Sequence, residues 1–359
     1  MTALKGPTAK SERRAGLLFI SPAALLISLF LVAPFFAAFY FSFTNQRLVS
    51  PNPTEVVGNE QYDRLLSFAW VTLDPVVDDA GELVLDNDGN PTYPLRELTR
   101  DPDSNFDGLQ EWFSIGRGDD KRTSFLVGDV VFVKSVVNTL YFAAVIVPLQ
   151  SLFGLILALL VNQKIRGVNI FRTIYFMPVV TSMVVISLLW RFIYDADNGL
   201  LNSMLGWFTL GRFEGHDWLG STSTAMPAVM AMSIWAAVGF HMIIWLAGLQ
   251  SIDSVLYEAA SIDGAGKWAQ FRNVTWPGLR NTAVFILITI TIAAFGLFTQ
   301  VDVMTSGGPL DSTSTIVLYA VRQGFNQQNI AYGSAISLFF FFMVLAVAMI
   351  QRYLTREKV

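Results

Sequence analysis

Cysteine is absent from this 359-residue chain, which removes thiolate metal sites, disulfide staples and cysteine nucleophiles together. Histidine occurs only at His216 and His241, too little for a histidine metal cage or a nucleophile–base relay. Charged residues make up 14% of the chain, where a soluble globular protein carries about 25%. The net charge of −4 leaves no general basic footprint for nucleic acid. Recognisable chemistry is equally sparse. There is no Gly-Lys-Ser/Thr phosphate loop, so P-loop ATP hydrolysis is not expected in this chain, and there is no His-Glu-x-x-His or nucleophile elbow. No internal repeat is visible. No catalytic set, metal site or cofactor is expected here.

What the chain has instead is apolar length. Hydrophobic residues reach 53%, with 29 Phe and 9 Trp, and the mean hydropathy is +0.48. A membrane helix needs about 20 mostly apolar residues. Six stretches meet that length, at Gly16–Phe43, Val131–Val161, Val168–Tyr194, Ala225–Gln250, Leu279–Thr305 and Ile330–Leu354. The first is too long for a signal peptide and lacks a small-residue cleavage pattern before Asn45, so it reads as a retained helix. Lys and Arg concentrate on one side: Lys5, Lys10, Arg13 and Arg14; Lys164, Arg166 and Arg172; Lys267, Arg272 and Arg280; Arg352, Arg356 and Lys358. The short loops of the other side hold only Arg212 and Arg322. The positive-inside rule then predicts an all-α polytopic membrane protein of six transmembrane helices with both termini cytoplasmic.

Residues 44–130 form an insertion between the first two helices, with 17 acidic and 7 basic residues. Long acidic segments translocate regardless of charge, so a small external domain is expected. Gly81–Leu85, a turn at Asp86–Asn90, and Pro91–Tyr93 read as strand, turn, strand. Asp86, Asp88, Asn90 and Glu97 have partial calcium-loop spacing, but Pro91 stands where that loop needs glycine, which favours a plain turn.

Polar residues within apolar stretches are functional candidates by default. Arg191, beside Trp190 and Tyr194, reads as a side chain reaching the headgroups. His241 has no obvious carboxylate on its helix and reads as a packed, hydrogen-bonded side chain rather than a proton relay. Asp302 sits where water reaches. Pro34, Pro148 and Pro178 each remove a helix hydrogen bond and permit a kink.

The loop 251–277 is the most informative segment. Asp253 or Ser254 suits a helix start. Val255, Leu256, Ala259 and Ile262 recur at helical spacing, and Gly264 and Gly266 permit a sharp turn. Trp268, Phe271 and Val274 give a second apolar stripe, and Pro277 suits the start of the following helix. Two short amphipathic helices joined at a corner are expected, projecting into the cytoplasm. Asp253, Glu258 and Asp263 argue against anionic headgroups as their partner.

Glu258-Ala259-Ala260, three residues, Gly264, nine residues, and then Val274-Thr275-Trp276-Pro277 resemble the EAA loop of ABC importer permeases, with Val for Ile and Trp for Leu in that family's closing Ile-x-Leu-Pro. Further segments resemble the carbohydrate permeases of the maltose and α-glucoside type: Val57-Gly58-Asn59-Glu60-Gln61-Tyr62, Asn138-Thr139-Leu140, Gly199-Leu200-Leu201-Asn202 and Thr305-Ser306-Gly307-Gly308-Pro309. The resemblance spans nearly the whole chain except about 65–130.

It implies a heteromeric importer in a bacterial or archaeal plasma membrane, with a core over 131–359. The expected partners are a second permease, a cytoplasmic ATPase dimer carrying the ATP and Mg, an extracytoplasmic sugar-binding protein and membrane lipid. The loop would be the ATPase-coupling element, through Glu258, Ala259, Ala260, Asp263, Gly264, Trp268, Phe271 and Pro277. Trp235, 23 residues before Glu258, matches a tryptophan lining the maltose permease's sugar site. The family's polar sugar contacts fall near Ile290, Ala293, Ala294 and Leu297, all apolar here. Phe298 and Gln300 are added as sugar contacts from residue type alone. An ABC permease for a polyamine or phosphate is the alternative. A membrane-embedded enzyme lacks an acid–base or metal set, and a passive channel has no use for the cytoplasmic elbow.

Overall fold

The computed structural model describes residues 9–116, 121–163 and 167–355, with side chains from residue 14 onward. Lys5, Lys164, Arg166, Arg356 and Lys358, counted above as boundary cations, lie outside the described residues. In chain order come α1 (Ala9–Ile27), α2 (Ala33–Phe41), α3 (Glu60–Leu66), β1 (Phe68–Leu73), α4 (Leu95–Leu98), β2 (Gln110–Ile115), β3 (Arg122–Val127), α5 (Val130–Val161), α6 (Val168–Phe176), α7 (Met183–Ile193) and α8 (Leu200–Phe208). Then follow α9 (Ala225–Gln250), α10 (Ser254–Ile262), α11 (Lys267–Gln270), α12 (Trp276–Gly278), α13 (Arg280–Phe295), α14 (Thr299–Met304), α15 (Ile316–Val321) and α16 (Ile330–Thr355).

Four helical segments are long and apolar enough to cross a bilayer alone: Arg14–Phe41, α5, α9 and α16. Two further pairs qualify only as bent spans. The stretch expected as one helix from Val168 to Tyr194 is broken, with α6 and its 3-10 extension through Val180 meeting α7 at 102°. Pro178 lies in that 3-10 turn, and Gly239 of α9 lets the bend approach closely: a Cβ there would stand 2.0 Å from the Tyr175 carbonyl oxygen. The expected helix Leu279–Thr305 is also interrupted. It starts at Arg280 after a 65° bend, ends at Phe295, and resumes as α14 only at Thr299. Pro148, by contrast, sits inside an uninterrupted α5.

The chain divides into two units. The first comprises residues up to 65 together with 320–339. There the Val57–Tyr62 motif folds back on the end of the first span. Gly58 takes φ +67°, the Tyr62 hydroxyl donates to Ser42 Oγ at 2.7 Å, and buried Gln61 donates to the Thr44 carbonyl at 3.2 Å. The Arg64 guanidinium lies 4.2 Å from the centre of the Tyr332 ring.

The second unit, 66–319 with 340–359, holds the main core. Its helices approach through small residues. At Gly154 of α5 a Cβ would meet His241 Cβ at 3.1 Å, and at Gly248 of α9 it would meet Thr282 Oγ1 at 2.5 Å. Trp245 is fully buried, and its indole N–H donates to the Ser151 carbonyl at 3.0 Å, tying α9 to α5.

The segment expected to be external carries an antiparallel sheet in the order β1-β3-β2, not the strands expected at 81–93. Residues 81–93 form only single bridges, Val77–Leu83 and Leu85–Pro91. Between them Asp86 Oδ1 accepts the backbone amides of Asp88 and Asn90, and the amide of Asn90 is the main reason its carboxyl lies below the ordinary aspartate range. One face of the sheet packs the tilted rings of Trp70 and Phe113 against Phe125, with centroids 4.6 and 5.4 Å away. β3 passes into α5 through only Gly128 and Asp129, whose carboxylate caps the helix by accepting Phe132 N–H at 2.9 Å.

Candidate coupling loop and substrate-facing residues

The first arm of the loop between α9 and α13 and its corner are built as expected, and their construction follows from local chemistry. Asp253 is the N-cap of α10, its carboxylate accepting Val255 N–H at 2.9 Å. At the other end Gly264 takes φ +78°. Its amide donates to the Ser261 carbonyl, and the Ala265 amide donates to the Ala260 carbonyl. That double closure, with a left-handed residue just beyond the helix, is a Schellman ending. Nothing lies near the position of a Gly264 Cβ, so backbone conformation rather than crowding demands glycine there.

The second arm is longer than the sequence implied. It runs through α11, a π-helical turn at Phe271–Thr275, and α12. Pro277 therefore sits inside α12, ahead of the 65° bend, and does not open α13. Trp268 stacks on Phe271 with centroids 5.6 Å apart, and Phe271 meets Trp276 at 6.5 Å.

Two polar ties lock the arms together. The Tyr257 and Thr275 hydroxyls are 3.0 Å apart, and the Gln270 amide donates to Ser261 Oγ at 2.9 Å and to the Ala265 carbonyl at 3.2 Å. Tyr257, Ser261 and Gln270 escaped the sequence reading, because a polar residue on an amphipathic helix signals nothing until its partner is known. Glu258, Ala259, Asp263 and Gly264 are exposed, and Ala260 is half-buried. Ile262 is 87% exposed and Trp268 73%. The loop is thus a rigid two-armed elbow presenting an uncovered apolar ridge beside carboxylates.

The residues considered for substrate contact sit on different elements. Trp235, on the otherwise largely buried α9, is 47% exposed and has Trp190 of α7 as its ring neighbour, with centroids 5.6 Å apart. Behind Trp190 stands Tyr194 at 5.2 Å, its hydroxyl donating to the Ala228 carbonyl at 3.2 Å. Phe298 and Gln300 lie at the break between α13 and α14, both half-buried. Ile290, Ala294 and Leu297 are buried in packing, while Ala293 is exposed. His241 is buried, with Nδ1 at 3.0 Å from the Ala237 carbonyl, as expected for a packed side chain. Arg191 is exposed, its guanidinium 3.5 Å from the Val303 carbonyl.

The remaining motifs turn out to be joints. Asn138 Nδ2 donates to the Asp311 and Ser314 carbonyls, both at 2.9 Å, and Thr139 Oγ1 accepts Ile316 N–H at 3.1 Å. The Asn138-Thr139-Leu140 motif of α5 is therefore fastened to the loop that contains Thr305–Pro309. In that loop Ser306, Gly307, Leu310 and Asp311 all take positive φ. Thr313 Oγ1 donates to the Gly308 carbonyl at 2.9 Å. Asn202 donates to the Ala196 and His216 carbonyls at 2.9 Å and accepts the Trp218 indole N–H at 2.7 Å.

Straight and bent apolar helices joined by a braced elbow place the chain in the class of mostly helical polytopic membrane proteins. Residues 150–358 match the family described as binding-protein-dependent transport system inner membrane component, and the chain belongs to that family. It is 34% identical over 63% of its length to 78% of the probable ABC transporter permease protein YurN of Bacillus subtilis (strain 168). It is 35% identical over 65% of its length to 79% of the lactose transport system permease protein LacF of Rhizobium radiobacter. A crystal structure of a bacterial ABC transporter involved in import of the acidic polysaccharide alginate shares the fold, with a TM-score of 0.69 at 19% identity and 97% coverage of both chains.

Proposed function

We propose that this chain is the permease subunit of an ATP-driven sugar importer, supplying half of the translocation pathway for a di- or oligosaccharide or an α-glucoside such as maltose or trehalose. The observation that carries the reading is the elbow: a capped, cross-braced loop between α9 and α13 with Ile262 and Trp268 left uncovered. An apolar ridge of this kind on a rigid element needs a protein partner. A cytoplasmic ATPase dimer that closes on its nucleotide and Mg, and moves the elbow as one body, is the partner that fits. Glu258 would pair with a basic group of that partner, and Trp268 would enter an apolar groove.

The boundary cations support an orientation with both termini and the elbow in the cytoplasm. The chain would span a bacterial or archaeal plasma membrane beside a second permease. The acidic segment 44–130 would face an extracytoplasmic sugar-binding protein. A carbohydrate cargo draws support from the relative named for lactose transport and from exposed Trp235 beside half-buried Trp190, since indole faces stack on the C–H faces of sugars. Phe298 and Gln300 are the secondary candidates. A polyamine or phosphate cargo is the competing reading, and Trp235 offers neither solute a charge partner.

Gly264→Asp is the test. It places a side chain at φ +78°, at a cost of about 1 kcal/mol, and puts a carboxylate at the corner. The expected result is a chain that inserts in normal amount but no longer links ATP hydrolysis to solute uptake. Unimpaired uptake by this variant would overturn the assignment of the elbow. A screen of sugars, polyamines and phosphate for stimulation of ATP hydrolysis by the purified complex tests the cargo separately.

A further inference from the structure

α8 is amphipathic in an inverted sense. Its polar Asn202 points inward, satisfied by carbonyls of the flanking loops and by Trp218. While Leu201 and Leu205 are half-buried, four large apolar side chains point outward: Leu200, Met204, Trp207 and Phe208 are all exposed. Their spacing of i, i+4, i+7 and i+8 puts them on one helical face. The Trp207 and Phe208 rings pack edge to face at 4.9 Å, so the patch is continuous.

The end of the helix extends that patch at a conformational cost. Leu210 and Gly211 donate backward to the Trp207 and Gly206 carbonyls, the pattern of a Schellman ending. The left-handed residue of that ending is normally glycine, but here it is Leu210, with φ +55° and 91% exposure. A bulky residue held in this conformation in order to face water would be doubly unfavourable. In hydrocarbon its exposure is favourable.

The surroundings identify the occupant. Nine residues of helix reach about 14 Å, too short to cross a bilayer. α8 follows α7 closely, and the exposed row Val184, Leu188 and Phe192 on α7 leads towards it. Exposed apolar side chains thus run on along the chain from α7 into α8. α9, a full-length span, separates this region from the elbow, so α8 lies at the opposite membrane boundary. Arg212 and Glu214 follow at once, returning the chain to water.

We propose that α8 is an interfacial helix, lying in the plane of the membrane boundary opposite the elbow, with Leu200, Met204, Trp207, Phe208 and Leu210 inserted among lipid acyl chains. Asp195, Asp197, Glu214 and Asp217 surround it, so insertion is driven by apolar burial and not by attraction to anionic headgroups.

The absence of cysteine makes the test direct. Phe208→Cys and, separately, Glu214→Cys carry a nitroxide in the whole transporter complex, reconstituted in phosphatidylcholine vesicles. The same complex with the cysteine-free chain supplies the background. At position 208 collisions with oxygen should exceed those with a water-soluble nickel chelate, and at position 214 the order should reverse. Nickel access dominating at position 208 would show a water-facing helix and overturn the proposal. Exclusion of both reagents would show a protein partner covering the face and overturn it equally. Trp207→Phe supplies a milder second measurement. In vesicles of brominated phosphatidylcholine it should remove a quenched fraction of the fluorescence, and the proposal fails if the fraction removed is unquenched.

Discussion

The Asn138 side-chain amide spans two carbonyls, those of Asp311 and Ser314, at 2.9 Å each. One residue near the start of α5 thereby holds a loop more than 170 positions further along the chain. Asn138→Ala leaves both carbonyls without that donor, and the expected loss is about 1–3 kcal/mol. Asn138→Asp should be worse, because a carboxylate faces two carbonyl oxygens. Thermal unfolding of the purified complex in detergent checks the order: wild type above Ala, Ala above Asp.

At Gly239 the bent pair α6–α7 meets α9 with no room for a side chain, since a Cβ would stand 2.0 Å from the Tyr175 oxygen. Gly239→Ala should force the bend away from α9 and destabilise the protein by about 1–3 kcal/mol. Gly206→Ala is the control, because nothing lies within 4 Å of that Cβ position. Equal stability of the two variants would contradict the close crossing.

The elbow makes a kinetic prediction. Tyr257→Phe and Gln270→Ala each remove a tie between its arms, Tyr257–Thr275 or Gln270–Ser261. Each loss is worth about 1 kcal/mol, too little to unfold the loop but enough to soften it. Solute moved per ATP hydrolysed should fall, and fall further in the double variant, while ATP hydrolysis persists. An unchanged ratio would show that the ties do not matter to transmission.

The sequence revealed these features unequally, for physical reasons. Apolar length announces membrane helices, so the first, second, fourth and sixth stretches match helices of nearly the expected bounds. The Asp253 cap and the Gly264 corner were readable because each is a local backbone requirement. Pro178 marked where the bend before Ser182 could form but not that it reaches 102°, and the gap before Thr299 left no such sign, since a run of apolar residues looks the same whether straight or folded. The sheet was misplaced because the Asp-rich turn at 86–90 is a louder signal than Phe68–Leu73, whose partner strand begins at Arg122. The Asn138 and Asn202 motifs were legible as patterns, but their purpose as joints appears only when the carbonyls they bind are seen. Trp190 became a candidate only through its contact with Trp235.

Only Gly128 and Asp129 separate the sheet from the first span of the second unit, and the Asp129 carboxylate clips that junction shut. Such a connection has no slack. A body that seats on the sheet and tilts it must rotate α5 as well, and α5 is tied to α9 through Trp245 and Ser151. Load on the sheet therefore has a stiff mechanical route to the helix that leads into the elbow, with no flexible tether along the way.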